Sequence, residues 1–300
     1  MGSGSWSDKD FVTYSCSLGR NVDLSTGSVT GTYSNQEIFR ATTLHKALDP
    51  YKAVRECKDT IEHPNTIPVI LALDVTGSLG DASVEISKKL NTIMTKLYES
   101  VTDIEFMIMG IGDLYCDRYP IQASQFESDI RIAEQMEQIY FEFGGGGNDS
   151  ESYTASWYFG LYHTDLDCWK RGKKGLIITI GDELLNPFLQ KEPLIKCTGD
   201  DIFQFNLETQ DLYNDAKEKF DIFHIHVDHG RQRSFNTVAP SWTKVIGDDH
   251  LIQSNLDNIA DKIMDIILST TQTAVETSFD ITNDIPVSKV NTNENGEIVW

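Results

Sequence analysis

Residues 67–80 carry the sequence IPVILALDVTGSLG, and this segment decides the fold of the chain. Its first seven residues are apolar except for Pro68, a pattern typical of a strand buried on both faces of a parallel sheet. Pro68 has no N–H for the sheet ladder and therefore fits only where the strand opens. Asp74, Thr76 and Ser78 follow, so the sequence predicts three oxygen-bearing side chains at the carboxyl end of a central strand.

Open α/β sheets bind ligands at this carboxyl edge. Carboxylate and hydroxyl oxygens together suit a hard divalent cation that keeps part of its water shell, such as Mg²⁺. An alternative is that Asp74, Thr76 and Ser78 only cap the helix that follows, because Asp, Thr and Ser are good N-cap residues. The other parts of the sequence distinguish the two interpretations.

The order D-V-T-G-S resembles the D-x-S/T-x-S metal-ion-dependent adhesion site of von Willebrand factor type A (vWA) domains. In that family a glycine-rich loop and an Asp after a later strand complete the site. Both follow here in the same order, as GGGGNDSES at residues 144–152 and as Asp182 in LIITIGDE. The resemblance covers roughly residues 65–270 and is to vWA domains of the intracellular prokaryotic or phage-like type.

The resemblance implies an α/β fold with a doubly wound, mainly parallel, Rossmann-like sheet and one antiparallel edge strand. Alternating strand and helix patterns favour the same class independently. We expect strands at residues 67–73, 104–111, 176–180 and 222–227, an edge strand at 119–126, and helices at 82–98 and 255–269. The expected organisation is an N-terminal extension at 1–64, a vWA domain at 65–270 and an extended C-terminal tail at 271–300.

The stretches with a less regular pattern also carry secondary-structure expectations. Residues 11–14 are strand-like, residues 183–189 start a helix that Pro193 ends, and Val245 and Ile246 form a last short strand. The aromatic stripe of Tyr153 and Trp157 has helical spacing and predicts core packing.

The resemblance implies a divalent-cation site held by Asp74, Thr76, Ser78, Glu151 and Asp182, with Mg²⁺ expected and Mn²⁺ or Ca²⁺ as alternatives. The glycine loop departs from the family, because no Thr follows the glycines and Glu151 falls nearest to that position. A carboxylate there makes the site more negative, which argues against a partner's carboxylate completing the coordination. The further candidates around the site are Asp149, Ser152, Asp113 and Glu183.

Composition restricts the partners and the compartment. The chain has 300 residues and a formal net charge of −21, which argues against binding nucleic acid or an anionic membrane. Its five cysteines are irregularly spaced without a C-x-x-C pair, which is typical of reduced thiols. The sequence shows no signal segment and no run of 18 apolar residues. We therefore expect a cytoplasmic protein.

Two other clusters have a possible function and a simpler explanation. His224, His226 and His229 suggest zinc, but a fourth ligand at zinc spacing is missing, so strand packing is the preferred interpretation. The basic run KRGKK at residues 170–174 either solvates a turn or binds an acidic ligand.

We expect a metal-dependent protein-binding or assembly module whose partner is a protein. The resemblance suggests an AAA+ ATPase or self-assembly. The sequence lacks G-x-S-x-G, H-E-x-x-H and a P-loop, so an enzyme is disfavoured. A metal-assisted hydrolase using the carboxylates of GIGD and TIGDE is one alternative. A structural scaffold that uses the two extensions is the other.

Overall fold

The computed structural model describes residues 4–142, 150–228 and 233–280, with backbone only for residue 78 and residues 272–280. The strands are β1 Asn21–Val22, β2 Val29–Thr30, β3 Arg55–Cys57, β4 Ile67–Asp74, β5 Ile104–Ile111, β6 Ile121–Ala123, β7 Ser150–Glu151, β8 Thr164–Leu166, β9 Gly175–Gly181, β10 Leu184–Leu185, β11 Phe188–Leu189, β12 Leu207–Glu208, β13 Phe220–Asp228 and β14 Leu251–Asn255. The α-helices are α1 Asp8–Ser17, α2 Asn35–Ile38, α3 Gly80–Ser100, α4 Arg131–Met136, α5 Thr154–Tyr162, α6 Lys191–Thr198, α7 Thr209–Ala216, α8 Phe235–Ile246 and α9 Ile259–Asp280. Short 3-10 turns lie at Lys46–Leu48, Gly77–Leu79, Asp167–Arg171 and Asp248–His250.

The central sheet has six strands in the order β14-β13-β9-β4-β5-β6. Strand β6 pairs antiparallel with β5, and every other pair in this sheet is parallel. The predicted α/β class, with a mainly parallel, vWA-like sheet and one antiparallel edge strand, is therefore confirmed. Strand β4 lies between β5 and β9, and Pro68 is its second residue, as its missing N–H requires.

The sheet separates two apolar layers, because alternate residues of a strand point to opposite faces. Val69, Leu71 and Leu73 pack on the side of α3 and α9, whereas Ile70 and Ala72 pack on the side of α5. Every residue of β9 and all but the first residue of β4 are buried. This burial explains why these strands are continuous apolar runs in the sequence.

The segment that precedes β4 packs on the same domain. Phe11, Ile38 and Phe39 belong to the apolar layer that also contains the buried face of α3. The Asn35 side-chain amide donates to the Gly80 carbonyl oxygen at 3.2 Å, where α3 begins. The N-terminal segment therefore covers α3 and extends as far as the carboxyl edge of the sheet.

The C-terminal helix is longer than the sequence predicted. Helix α9 begins at Ile259 and continues to Asp280, so residues 271–280 are helical and their assignment to an extended tail was wrong. The Thr270 and Thr271 hydroxyls donate to the carbonyls of Ile266 and Ile267, so both side chains bond within the helix. Residues 281–300 lie outside the described part of the chain. In that part, no helix combines the length and apolar character that crossing a bilayer requires.

Three local predictions were also wrong. Residues 11–14 belong to α1, whose N-cap Ser7 accepts from the Asp10 N–H at 3.3 Å. Residues 183–189 contain β10 and β11 and do not start a helix. Pro193 is the third residue of α6, where a missing N–H costs nothing because first-turn donors have no partner inside the helix. Val245 and Ile246 end α8, and the last strand of the sheet is β14.

A buried ion pair fixes the N-terminal segment to the domain. The Arg20 and Glu137 side chains form this pair and are 3% and 10% exposed. Removing Arg20 would leave the Glu137 carboxylate buried without its cation, so we expect Arg20→Ala to lower the free energy of unfolding by about 3 kcal/mol. Urea titration of Arg20→Ala beside the exposed control Lys9→Ala tests this. Equal small losses in both variants would show that the pair does not hold the segment.

Candidate functional site

Two buried carboxylates meet at the carboxyl edge of the sheet. Asp74 is the last residue of β4, and Asp182 directly follows β9, the parallel neighbour of β4. Both residues are 0% exposed. Because the carboxyl ends of parallel strands lie at one edge, the sequence positions of the two acids bring their charges together.

Neutral donors hold the Asp74 carboxylate in place. Its Oδ1 accepts from the Thr76 N–H at 2.8 Å and from the Thr76 hydroxyl at 2.6 Å, as in an Asx turn. Its Oδ2 accepts from the Tyr153 hydroxyl at 2.8 Å. Among the described residues, no cationic side chain forms an ion pair with Asp74.

Burial and neighbouring negative charges favour the protonated forms of Asp74 and Glu151. Burial, followed by the charge of Asp182, raises the pKa of Asp74 to about 7. Burial, followed by the charge of Asp74, also raises the pKa of Glu151 far above its ordinary value. Glu151 is 9% exposed, and its Oε2 is buried without a hydrogen-bond partner in the described part of the chain. A cation also lies near this edge, since the Arg233 Nε is 3.2 Å from Glu183 Oε2.

A short strand pair positions Glu151. Strand β7 runs parallel to β10, with Ser150 opposite Leu184 and Glu151 opposite Leu185. This pair connects the segment after the glycine loop to the segment after Asp182. The Ser152 hydroxyl accepts from the Leu114 N–H at 3.0 Å and thereby joins the loop after β5 to the same region.

The loop after β5 adds further carboxylates. Asp113 Oδ1 accepts from the N–H groups of Tyr115 and Cys116, each at 2.7 Å, and the Asp113 N–H donates to Asp117 Oδ2 at 2.7 Å. Burial, with the charges of Glu142 and Asp113, raises the pKa of Asp117 to about 6. Sequence reasoning missed Asp117; its spacing of four residues from Asp113 in a turn was the available signal.

Tyr153 has a role that helical spacing did not indicate. The ring is fully buried, as predicted for a core residue. Its hydroxyl donates to Asp74 and also lies 3.3 Å from the Glu183 N–H, which donates to it. A Cβ on Gly181 would lie 2.0 Å from this oxygen, so the glycine at the end of β9 leaves the space that the hydroxyl occupies.

The structure brings most of the predicted residues to one edge. Asp74, Thr76, Asp182 and Glu151 lie together, and Asp113, Ser152 and Glu183 surround them. The Ser78 backbone lies in the turn Gly77–Leu79 at the same edge, but its side chain is outside the described part of the chain. Asp149 and the four glycines also lie outside it.

The described side chains do not themselves form a cluster with metal-binding geometry. No group of three or more His, Cys, Asp or Glu residues in the described ranges is arranged to hold a metal ion. The His224 ring stacks on Trp242 with 3.6 Å between centroids, and its Nδ1 lies 2.8 Å from the Thr179 hydroxyl. This packing role is the preferred interpretation of His224, and His229 lies outside the described residues.

Comparison with known proteins gives fold-level similarities only. No protein-family model and no curated protein matches the sequence. Similar solved structures include the pilus adhesin SpaC from Lactobacillus rhamnosus GG in its open conformation, with 11% identity and a TM-score of 0.45 over 67% of this chain. They also include the vWF domain of the type V pili tip protein Mfa5 from Porphyromonas gingivalis, with 11% identity and a TM-score of 0.42 over 70% of this chain. The matches cover 30% of the SpaC chain and 96% of the Mfa5 domain.

The buried carboxylates make stability depend on pH. The folded pKa of Asp74, about 7, is above its ordinary value of 3.8, so the folded state binds the proton more tightly and stability falls as pH rises through that window. In EDTA, we expect the free energy of unfolding to be lower at pH 8.5 than at pH 6. Asp74→Asn should reduce this difference by about 1 kcal/mol, because it removes the titrating group. Urea titrations at both pH values measure it; an identical pH difference in the variant would contradict the assignment.

Proposed function

We propose that this chain is a partner-recognition or assembly module that uses a divalent cation at the carboxyl edge of its sheet. The residues that would hold Mg²⁺, or Mn²⁺ or Ca²⁺, are Asp74, Thr76, Ser78 and Asp182, with Glu151 beside them. The supporting observation is the burial of Asp74 and Asp182 at adjacent strand ends with neutral donors around Asp74. When bound, the cation would supply positive charge that favours the ionised form of Asp74.

The residues fit such an ion by the chemistry of their donors. Every candidate ligand offers oxygen, which hard cations prefer. The Glu151 Oε2 atom is buried without a hydrogen-bond partner among the described residues, and the side chain interacts electrostatically with Asp74. Mg²⁺ usually takes one or two carboxylates and keeps several waters, so it does not need three acidic side chains closing on one point.

A binding role is favoured because an exposed aromatic side chain lies in a loop beside the buried acids. Tyr115, in the loop after β5, is 78% exposed next to the Asp113 turn. The proposed partner is a protein, either an AAA+ ATPase or a second copy of this chain, as the vWA resemblance suggests. The negative charge contributed by Glu151 disfavours a partner that would add a carboxylate to the cation.

Thermal unfolding with and without Mg²⁺ tests the cation site. In wild type we expect Mg²⁺ to raise the melting temperature at pH 8, because only the folded state brings the ligands together. Asp74→Asn should abolish this rise while keeping the acceptor for Thr76, and a matched change at the exposed Asp201, Asp201→Asn, should preserve it. An equal Mg²⁺ response in wild type and Asp74→Asn would refute the site.

The recognition proposal also predicts that the chain does not hydrolyse ATP or phosphoesters. The sequence holds no P-loop and no motif of a nucleophile with its base. The measurement is phosphate release with ATP or p-nitrophenyl phosphate in the presence of Mg²⁺. Turnover that is present in wild type and lost in Asp74→Asn would instead favour the metal-assisted hydrolase.

A further inference from the structure

Hydrogen bonds from its neighbours fill most of the acceptor positions of the Asp74 carboxylate. A carboxylate has roughly four such positions, two on each oxygen. The Thr76 N–H and hydroxyl donate to Oδ1, and the Tyr153 hydroxyl donates to Oδ2. Among the described residues, the position that these bonds leave on Asp74 is therefore on Oδ2, beside the Tyr153 hydroxyl.

The Tyr153 side chain is held firmly in this place. Its ring is fully buried, with its centroid 5.3 Å from that of Trp242 and 5.2 Å from that of His224. Its hydroxyl also accepts from the Glu183 N–H at 3.3 Å. A hydroxyl fixed at both the ring and the oxygen gives the Asp74 carboxylate one preferred orientation, because it cannot follow the carboxylate if that group rotates.

This arrangement distinguishes between divalent cations. Ca²⁺ takes about six to eight oxygen ligands in flexible geometry and often uses both oxygens of one carboxylate. Mg²⁺ requires a near-ideal octahedron and usually takes single oxygens of one or two carboxylates together with waters. Since Thr76 fills both positions on Oδ1, Asp74 offers one oxygen in one fixed direction, which suits Mg²⁺ better than Ca²⁺.

We propose that Tyr153 is a positioning residue that makes the cation site proposed above prefer Mg²⁺ to Ca²⁺, a role that rests on the proposed function. Tyr153 acts through Asp74, whose carboxylate it orients. Without the hydroxyl, the carboxylate gains freedom to rotate and Oδ2 gains an open position. Mg²⁺ loses affinity when this geometry is relaxed, whereas Ca²⁺ tolerates the change.

The same helix region offers a matched control. The Tyr158 ring is also fully buried, and its hydroxyl donates to Asp200 Oδ2 at 2.5 Å. Tyr158→Phe therefore removes a tyrosine–carboxylate hydrogen bond, as Tyr153→Phe does, but Asp200 is not one of the acids at the carboxyl edge. A loss of stability alone would affect the two variants alike.

Calorimetric titration of the full chain at pH 8 with MgCl₂, and separately with CaCl₂, tests the proposal. We expect wild type to bind Mg²⁺ more tightly than Ca²⁺. Tyr153→Phe should weaken Mg²⁺ binding about tenfold and Ca²⁺ binding less than about twofold, because it removes one hydrogen bond that orients Asp74. Tyr158→Phe should keep the wild-type preference.

The outcomes separate the role of Tyr153 from the cation site itself. Wild type that binds neither ion would refute the cation site and, with it, the role of Tyr153. Wild type that binds Ca²⁺ as tightly as Mg²⁺, or a Tyr153→Phe variant with the wild-type preference, would refute the role of Tyr153 while the cation site stands. Equal weakening of both ions in Tyr153→Phe, or the same change of preference in Tyr158→Phe, would refute it as well.

Discussion

Two like charges buried side by side are the constraint on which the carboxyl edge of this protein depends. Asp74 and Asp182 end or follow adjacent parallel strands and are fully buried. Burial, followed by the charge of Asp182, penalises the ionised form of Asp74, which is why its pKa is raised to about 7. Positive charge placed beside Asp74 therefore favours its ionised form.

The surrounding elements hold these acids in position. The hydroxyl of Tyr153 reaches Asp74 through the space that Gly181 leaves, and the pairing of β7 with β10 brings Glu151 to the same edge. Helix α3 begins just after the Asp74 loop, and the N-terminal end of a helix favours nearby negative charge. The N-terminal segment packs on α3 and contacts its first residue through Asn35, so it supports the loop from outside.

The sequence predicted the central sheet well, because β4, β5 and β9 are mainly apolar, as buried strands are, and β13 interleaves apolar residues with Asp and His. Asp74 was predicted from its position at a strand end and Asp182 from the vWA resemblance, and the structure places both at one edge. Sequence reasoning missed α1 because Thr, Tyr and Ser give little helical signal, and it ended α9 too early because residues 270–273 are all polar and interrupt the apolar helical period. The contact of Tyr153 with Asp74 was not predictable, since it joins residues 79 positions apart.

The most direct test of a cation at this edge is anomalous diffraction from crystals grown with Mn²⁺, recorded at the manganese absorption edge. The account predicts an anomalous peak bounded by the Asp74, Asp182 and Glu151 carboxylates, at about 2.2 Å from its nearest protein oxygen. The peak should be absent in crystals of Asp74→Asn grown in the same way. An edge without anomalous density in wild type, or with density that persists in Asp74→Asn, would contradict the account.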